Sequence, residues 1–321
     1  MIYDFENKRV INSILESSAK RVLLQLPDGL KNYGVKIAKI LEDKTKATIY
    51  LSADPCYGSC DLPIDEAKML NIDLVVHYGH SVFKKENFQN MIYVDVKVKI
   101  QFKETVKKSI PLLKGYKRIG LITAIQHVDT LEGASKLLSD LGKEVKIGRK
   151  GSHVKYDGQV TGCDYASAKN IENEVDAFLF IGGGIFHALG VFLATEKPVV
   201  VADPYLNMAK DVTNLGEKII KQRRAALAKT IQAKRLGIIT GVKKGQLNLK
   251  VAEMLKEKLE KDGKETFLLC LKEITPEALD NFQEIDAFIN TACPRIGVDD
   301  RERYRRPIIA TEDALTLLRN G

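Results

Sequence analysis

Three short apolar runs, each introduced by a basic residue, punctuate the chain: Val22-Leu23-Leu24-Gln25-Leu26, Ile119-Gly120-Leu121-Ile122-Thr123 and Leu236-Gly237-Ile238-Ile239-Thr240. Their length and branched side chains predict buried parallel strands. Each leads through a polar loop into a segment of helical periodicity: Tyr33 to Leu41, Thr130 to Leu141, and Leu247 to Lys261, where Ala252, Leu255 and Leu259 share a face. A second strand follows each time, at Thr48 to Leu51, Glu144 to Gly148 and Thr266 to Cys270. A third opens on an aspartate: Asp73 before Leu74-Val75-Val76, Asp176 before Ala177 to Ile181, Asp286 before Ala287-Phe288-Ile289. A fourth closes each unit, at Met91 to Val94, Pro198 to Ala202 and Pro307 to Ala310.

Strands alternating with helices of this size predict parallel sheets built from βαβ units. The expected fold class is therefore α/β, with three related βαβ-type domains arranged around a central cleft. Their expected bounds are residues 1–104, 105–212 and 213–321. The stretch from Val212 to Lys234 predicts a long amphipathic packing helix into the third domain, with Leu215, Ile219, Leu227 and Ile231 on one stripe.

At 321 residues, 45% hydrophobic and 29% charged, the composition is that of a soluble globular protein. No apolar run approaches the ~18 residues needed to span a bilayer. The first residues, Met1-Ile2-Tyr3-Asp4-Phe5-Glu6, lack the basic-then-apolar pattern of a signal peptide. A cytoplasmic, reducing location is expected, and there five cysteines point to metal, chemistry or core filling before disulfides. The net charge of +8 is scattered along helices, apart from Lys221-Gln222-Arg223-Arg224 and the segment Arg301 to Arg306. It reads as a lysine-rich surface rather than a nucleic-acid footprint.

Cysteine placement adds the chemistry. Cys60, Cys163 and Cys293 each lie in a turn-rich loop after a predicted strand, one in each third of the chain. A local zinc knuckle would pair its thiolates within a few residues. Three remote thiolates instead suit an iron–sulfur cluster with one iron left open for a substrate. Gly58, Ser59, Gly162 and Pro294 let backbone approach a bulky inorganic group. Cys270 ends the dense apolar run Phe267-Leu268-Leu269 and is expected in the core. Cys56-Tyr57-Gly58-Ser59-Cys60 opens like the CxxxCxxC motif of radical S-adenosylmethionine enzymes, but the third position is Pro63. Cys60 is the expected ligand; whether Cys56 exchanges with it stays open.

Other candidates follow strands, where open α/β sheets collect ligands. Gly183, within Gly182-Gly183-Gly184, offers backbone amides to a carboxylate or phosphate, or simply makes a tight turn. His187, His80 and Gln126 are the remaining expected cofactor contacts, with His127 beside Gln126. A lone histidine is more often a satisfied structural group than a ligand. GxGxxG spacing would require glycine where His187 stands, and no Walker A sequence occurs.

Taken together, these residues resemble the diphthamide-biosynthesis family, the 2-(3-amino-3-carboxypropyl)histidine synthases. The matching stretches are Leu26-Pro27-Asp28-Gly29-Leu30, Tyr57-Gly58-Ser59-Cys60-Asp61, His77-Tyr78-Gly79-His80-Ser81 and Gln126-His127. Further along they are Gly162-Cys163, Gly182 to His187, Asp203-Pro204-Tyr205 and Cys293-Pro294-Arg295. The resemblance spans essentially the whole chain, and Cys56 is the one feature that muddies it. It implies a homodimer of three-domain subunits, each with a 4Fe–4S cluster on Cys60, Cys163 and Cys293. It also implies S-adenosylmethionine as substrate, cleaved at the bond from sulfur to the γ-carbon by an electron from an unidentified donor. The 3-amino-3-carboxypropyl radical would then add to imidazole C2 of a histidine on translation elongation factor two, leaving methylthioadenosine. Arg301-Glu302-Arg303-Tyr304-Arg305-Arg306 is a candidate docking rim, or a solvated charged loop.

Two other readings remain in view. A quinolinate synthase-like lyase would use an open iron as a Lewis acid, though these motifs fit it poorly. A non-catalytic basic α/β protein binding RNA or ribosomal factors would explain the charge but not the thiolate spacing.

Overall fold

Strands form where the apolar runs predict them in the computed structural model, which describes residues 2–82, 90–298 and 301–317. Two compact units result, Met1–Thr213 and Asn214–Gly321.

The first unit carries two sheets. Helix α1 (Asn7–Glu16) precedes β1 (Arg21–Gln25), α2 (Gly34–Thr45), β2 (Thr48–Leu51), α3 (Ile64–Met69), β3 (Leu74–Tyr78) and β4 (Met91–Val94). These strands are all parallel, in the order β2-β1-β3-β4. Then come α4 (Lys103–Ser109), β5 (Arg118–Thr123), α5 (Leu131–Asp140), β6 (Glu144–Lys146), α6 (Ala166–Lys169), β7 (Ala177–Ile181), α7 (Phe186–Thr195), β8 (Val199–Asp203) and β9 (Met208–Asp211). Their order is β6-β5-β7-β8-β9, parallel except for β9. The antiparallel β9 was not legible in the sequence, because Met208-Ala209-Lys210-Asp211 is mostly exposed and has no apolar run.

The second unit repeats the order. After α8 (Thr213–Gln232) come β10 (Arg235–Gly241), α9 (Leu249–Lys261), β11 (Glu265–Leu271), α10 (Pro276–Asp280), β12 (Ala287–Asn290), β13 (Ile308–Ala310) and α11 (Thr311–Leu317). The sheet runs β11-β10-β12-β13, all parallel. Within α8 the buried positions are Gly216, Ile219, Ala226 and Thr230, whereas Ile231 is exposed, so the apolar stripe ends before that residue.

The aspartate opening each third strand has a common task. Asp73 accepts hydrogen bonds from the amides of Lys20 and Arg21 at 2.9 and 2.8 Å. Asp176 does the same for Lys117 and Arg118 at 3.0 and 2.8 Å, and Asp286 for Lys234 and Arg235 at 3.0 and 2.8 Å. Each aspartate amide in turn donates to the carbonyl of Arg21, Arg118 or Arg235. The leading amides of the first strand are thereby satisfied where the ladder does not reach them. At Asp176 the Arg118 guanidinium adds a second pair of bonds, holding the carboxyl down at about 2.

Packing differs between copies at one register position. Leu23 lies opposite Val75, Gly120 opposite Phe178, and Gly237 opposite Phe288. A Cβ on Gly120 would sit 2.4 Å from two Phe178 ring carbons, and one on Gly237 would sit 2.8 Å from Phe288. Two sheets thus pair no side chain with a large one, and one sheet pairs two of middle size.

Cys270 contradicts its expected place. It is exposed, because β11 is an edge strand on which Phe267 and Leu268 also face outward. The basic segment is partly structural. Arg306 donates to the carbonyls of Leu279 and Ile285 at 2.6 and 2.9 Å and to that of Phe282, with its guanidinium 4.9 Å from the Phe288 ring centroid. Arg303 and Arg305 remain exposed, beside Glu277 and Asp280.

Candidate functional site

The loops at the strand ends of the first unit gather most of the expected site residues. Gln25, the last residue of β1, lies in register with His77 of β3, so two polar side chains meet in an otherwise apolar sheet. Gln25 Oε1 is 2.7 Å from His77 Nδ1, and Gln25 Nε2 donates to the Asp61 carbonyl at 2.7 Å. With Nδ1–H of His77 donating to Gln25, its Nε2 is left as an acceptor for His80 Nδ1 at 3.1 Å. His80 Nε2 therefore carries the lone pair. Burial holds His77 well below the usual imidazole range and His80 down to about 4, so both rings are neutral at physiological pH.

The loop after β2 wraps this pair. Asp61 N donates to the Gly58 carbonyl at 3.0 Å, a tight turn with Cys60 in third place. A Cβ on Gly58 would lie 3.7 Å from Cys60 Sγ and 3.9 Å from His80 Nε2, so the absent side chain opens the space that thiol and imidazole share. Cys60 is half-buried, whereas Cys56 is buried. Burial, reinforced by Asp61, pushes the Cys56 thiol up to about 12.

Cys163 sits in a loop closed the other way round: Thr161 N donates to the Asp164 carbonyl at 3.0 Å, an isolated antiparallel bridge across Gly162 and Cys163. The buried Asp164 carboxylate accepts from the amides of His153 and Ala166 at 2.8 and 3.0 Å, which fixes the loop. Cys163 is exposed yet flanked by enough protein that desolvation raises its thiol. Thr161 Oγ1 lies 3.6 Å from its sulfur, and Cys60 is close enough to push its pKa up further. Two thiols from different sheets thus share one electrostatic neighbourhood, and neither is in a disulfide.

The second sheet supplies a polar rim at its own switch point, between β5 and β7. Gln126 Nε2 donates to the Gly79 carbonyl at 2.8 Å, tying this rim to the His80 turn. His127 is buried, with Nε2 at 3.2 Å from the Tyr205 hydroxyl, which receives a 3.4 Å bond from Tyr3. Its Nδ1 has no partner among the described residues. Burial holds His127 down to about 4. A Cβ on Gly183 would lie 3.0 Å from the Tyr205 ring, so a side chain there would push that ring aside. Gly184 N donates to Asp203 Oδ2 at 3.1 Å, while Asp203 Oδ1 accepts from the amides of Tyr205 and Leu206. His187, in the first turn of α7, stacks on Phe180 with ring centroids 5.8 Å apart.

In the second unit Cys293 sits in a turn after β12. Asn290 Nδ2 donates to the Cys293 carbonyl at 2.8 Å, and Ala292 N donates to Asn290 Oδ1 at 3.0 Å. Cys293 follows the third strand of its sheet, whereas Cys60 and Cys163 follow the second strand of theirs. Gln25, Tyr3 and the full role of Tyr205 were not singled out by sequence. A glutamine ending a buried strand was the one available signal.

Comparison with known proteins gives consistent matches over the whole chain. The family described as "Putative diphthamide synthesis protein" matches residues 26–320. The 2-(3-amino-3-carboxypropyl)histidine synthase of Pyrococcus horikoshii is 34% identical, over 99% of this chain and 91% of that protein. Subunit 1 of the enzyme of that name from Schizosaccharomyces pombe is 31% identical, over 97% of this chain and 73% of that protein. The human subunit 1 is 29% identical, over 99% and 72%. The crystal structure of Dph2 from Pyrococcus horikoshii with 4Fe-4S cluster matches with a TM-score of 0.89 at 33% identity, covering 100% of this chain and 92% of that one.

Proposed function

Because the chain belongs to the family of putative diphthamide synthesis proteins, we propose that it is a 2-(3-amino-3-carboxypropyl)histidine synthase catalysing the first step of diphthamide formation. Its substrates are S-adenosylmethionine and a histidine of translation elongation factor two. The group goes to imidazole C2 of that histidine, and methylthioadenosine leaves.

Cys60, Cys163 and Cys293 are assigned as ligands of a 4Fe–4S cluster. The observation that carries the reading is the nearness of Cys60 and Cys163, two thiols on rigid turns of different sheets. Their soft donors fit the group, and three thiolates leave one iron open. When bound, the cluster supplies that open iron to orient the sulfonium and the electron that breaks the bond from sulfur to the γ-carbon.

The remaining residues bind and orient. Gly183 presents bare backbone beside Tyr205, suited to the carboxylate of S-adenosylmethionine, while the neighbouring Gly184 amide is held by Asp203. Gln126, locked on the Gly79 carbonyl, keeps its own amide oxygen for the substrate amine. His80, neutral and held by His77, directs its Nε2 lone pair toward the Cys60 turn. His187 sits at the α7 N-terminus as the fourth contact.

The chain is further assigned three repeats, 1–104, 105–212 and 213–321, supported by one strand order and one aspartate bracket in each sheet. It works as a cytoplasmic homodimer fed by a separate electron donor. No described helix is long and apolar enough to cross a membrane.

Anaerobic reconstitution tests the reading. About four irons per chain are expected, with methylthioadenosine formed from S-adenosylmethionine and dithionite. Alanine at Cys60, Cys163 or Cys293 abolishes both. An iron-free, colourless protein after reconstitution overturns it.

A further inference from the structure

The assignments above leave Cys56 without a task, although it lies in a constellation more specific than core filling needs. Its sulfur and one ring nitrogen each of His77 and His80 all lie within 4.8 Å of one another. We propose that Cys56, His77 and His80 form a mononuclear site for a thiophilic divalent cation of the zinc class, distinct from the cluster and reached from the Cys60 side.

Four observations carry this. The donor set is one thiolate and two imidazoles, ligand types that zinc takes from proteins in three-ligand sites that keep a fourth position for solvent. The spacing is right: His77 Nε2 and His80 Nδ1 are 3.1 Å apart, and the edge of a tetrahedron with metal–nitrogen bonds of ~2.0–2.1 Å is roughly 3.3 Å. A metal there requires the two rings to turn so that both lone pairs converge beside the line joining them, with the sulfur, within 4.8 Å, closing in.

Third, the outer shell already exists. His77 Nδ1 is fixed by Gln25 Oε1 at 2.7 Å, and Gln25 is itself fixed on the Asp61 carbonyl at 2.7 Å. Metal-bound histidines carry such an orienting partner on their other ring nitrogen as a rule. Fourth, the charges balance. A divalent cation and the Cys56 thiolate leave one positive charge, and the buried Asp61 carboxylate is close enough to act on Cys56.

Binding moves two protons. The Cys56 thiol proton goes to solvent, and the proton between the imidazoles moves to His80 Nε2. The thiolate and two nitrogens then donate to the metal without any change of oxidation state. His80 Nε2 then faces the Gly58 turn as a donor, in place of the lone pair it offers there without metal.

The test uses the full-length chain carrying Cys60→Ala, Cys163→Ala and Cys293→Ala, which removes all three assigned cluster ligands. Its outcome is therefore independent of the cluster. The reduced, metal-free protein is titrated anaerobically with Co2+, then with Zn2+. One Co2+ per chain is expected, with thiolate-to-cobalt charge transfer and the strong visible bands of four-coordinate cobalt, bleached by Zn2+. Adding Cys56→Ser removes the charge transfer, and His80→Gln or Gln25→Leu raises the Co2+ dissociation constant about 10–100-fold. If circular dichroism shows that Cys56→Ser does not fold, His80→Gln and Gln25→Leu decide the matter. Charge transfer that persists in a folded Cys56→Ser protein, an affinity unchanged in His80→Gln, or no bound cobalt overturns the proposal.

Discussion

Gly120 and Phe178 offer a direct test of how the repeated sheets solve one packing problem. A Cβ at position 120 would lie 2.4 Å from two Phe178 ring carbons and 3.3 Å from Ile171, against 3.4–4 Å for an ordinary contact. Phe178 has no exposure through which to retreat. Gly120→Leu should therefore cost at least ~1–3 kcal/mol by overpacking. Phe178→Val removes most of a ring and should cost ~2–4 kcal/mol, on a scale where Phe→Ala costs ~3–5. The double variant recreates the Leu23–Val75 pair of the first sheet at the same register. It keeps seven side-chain carbons in the pair, though branched aliphatic groups fill more room than one ring, so it should cost less than the two single variants together. Urea denaturation of all four proteins, followed by far-ultraviolet circular dichroism, closes a double-mutant cycle. A coupling energy of at least ~2 kcal/mol is expected between such neighbours. Costs that simply add would refute the compensation argument.

Further outcomes follow from the site and the second unit. Folding holds His80 and His127 near 4, while the unfolded chain protonates near ~6.5. Their stabilising share is thus whole above that value and lost as pH falls toward 4, so apo-protein urea midpoints should drop over that window, and a flat profile would contradict it. Asp176, held at about 2, loses its share only at lower pH, between ~4 and 2. Gly183→Val should displace the Tyr205 ring and raise KM for S-adenosylmethionine while leaving cluster absorbance intact; an unchanged KM would remove Gly183 from the site. Arg306→Ala strips three carbonyls of their donor and should destabilise the second unit by ~2–4 kcal/mol. Arg305→Ala, exposed in its ion pair, should shift that unit's melting by no more than the ~0–1 kcal/mol of a surface pair.

Much of the architecture was readable because parallel strands buried on both faces are written as unbroken apolar runs. Val22 to Leu24, Leu121 with Ile122, and Ile238 with Ile239 show it plainly. The same logic failed at β11. Phe267, Leu268 and Cys270 look like core, yet edge position leaves one side of the strand bare, and edge position is a property of the sheet rather than of the run. Composition likewise hid β9, whose pairing with β8 is backbone work that Met208 to Asp211 performs with little burial. Within the site, the cysteines and glycines stood out as residue types. The Gln25–His77–His80 chain did not, because it joins positions far apart in sequence through strand register. The shared Asp73, Asp176 and Asp286 positions were visible as a pattern, but their bonding to strand amides needed coordinates.

The outward-facing Cys270 has a practical consequence for any chemistry done on this protein. Alkylating reagents will meet one accessible sulfur there however completely metals shield the others. A labelling count that stops at one is therefore the signature of full protection, and a Cys270→Ser background would bring that reading to zero. The same sulfur gives spectroscopists an attachment point on the second unit without touching any residue assigned to metal.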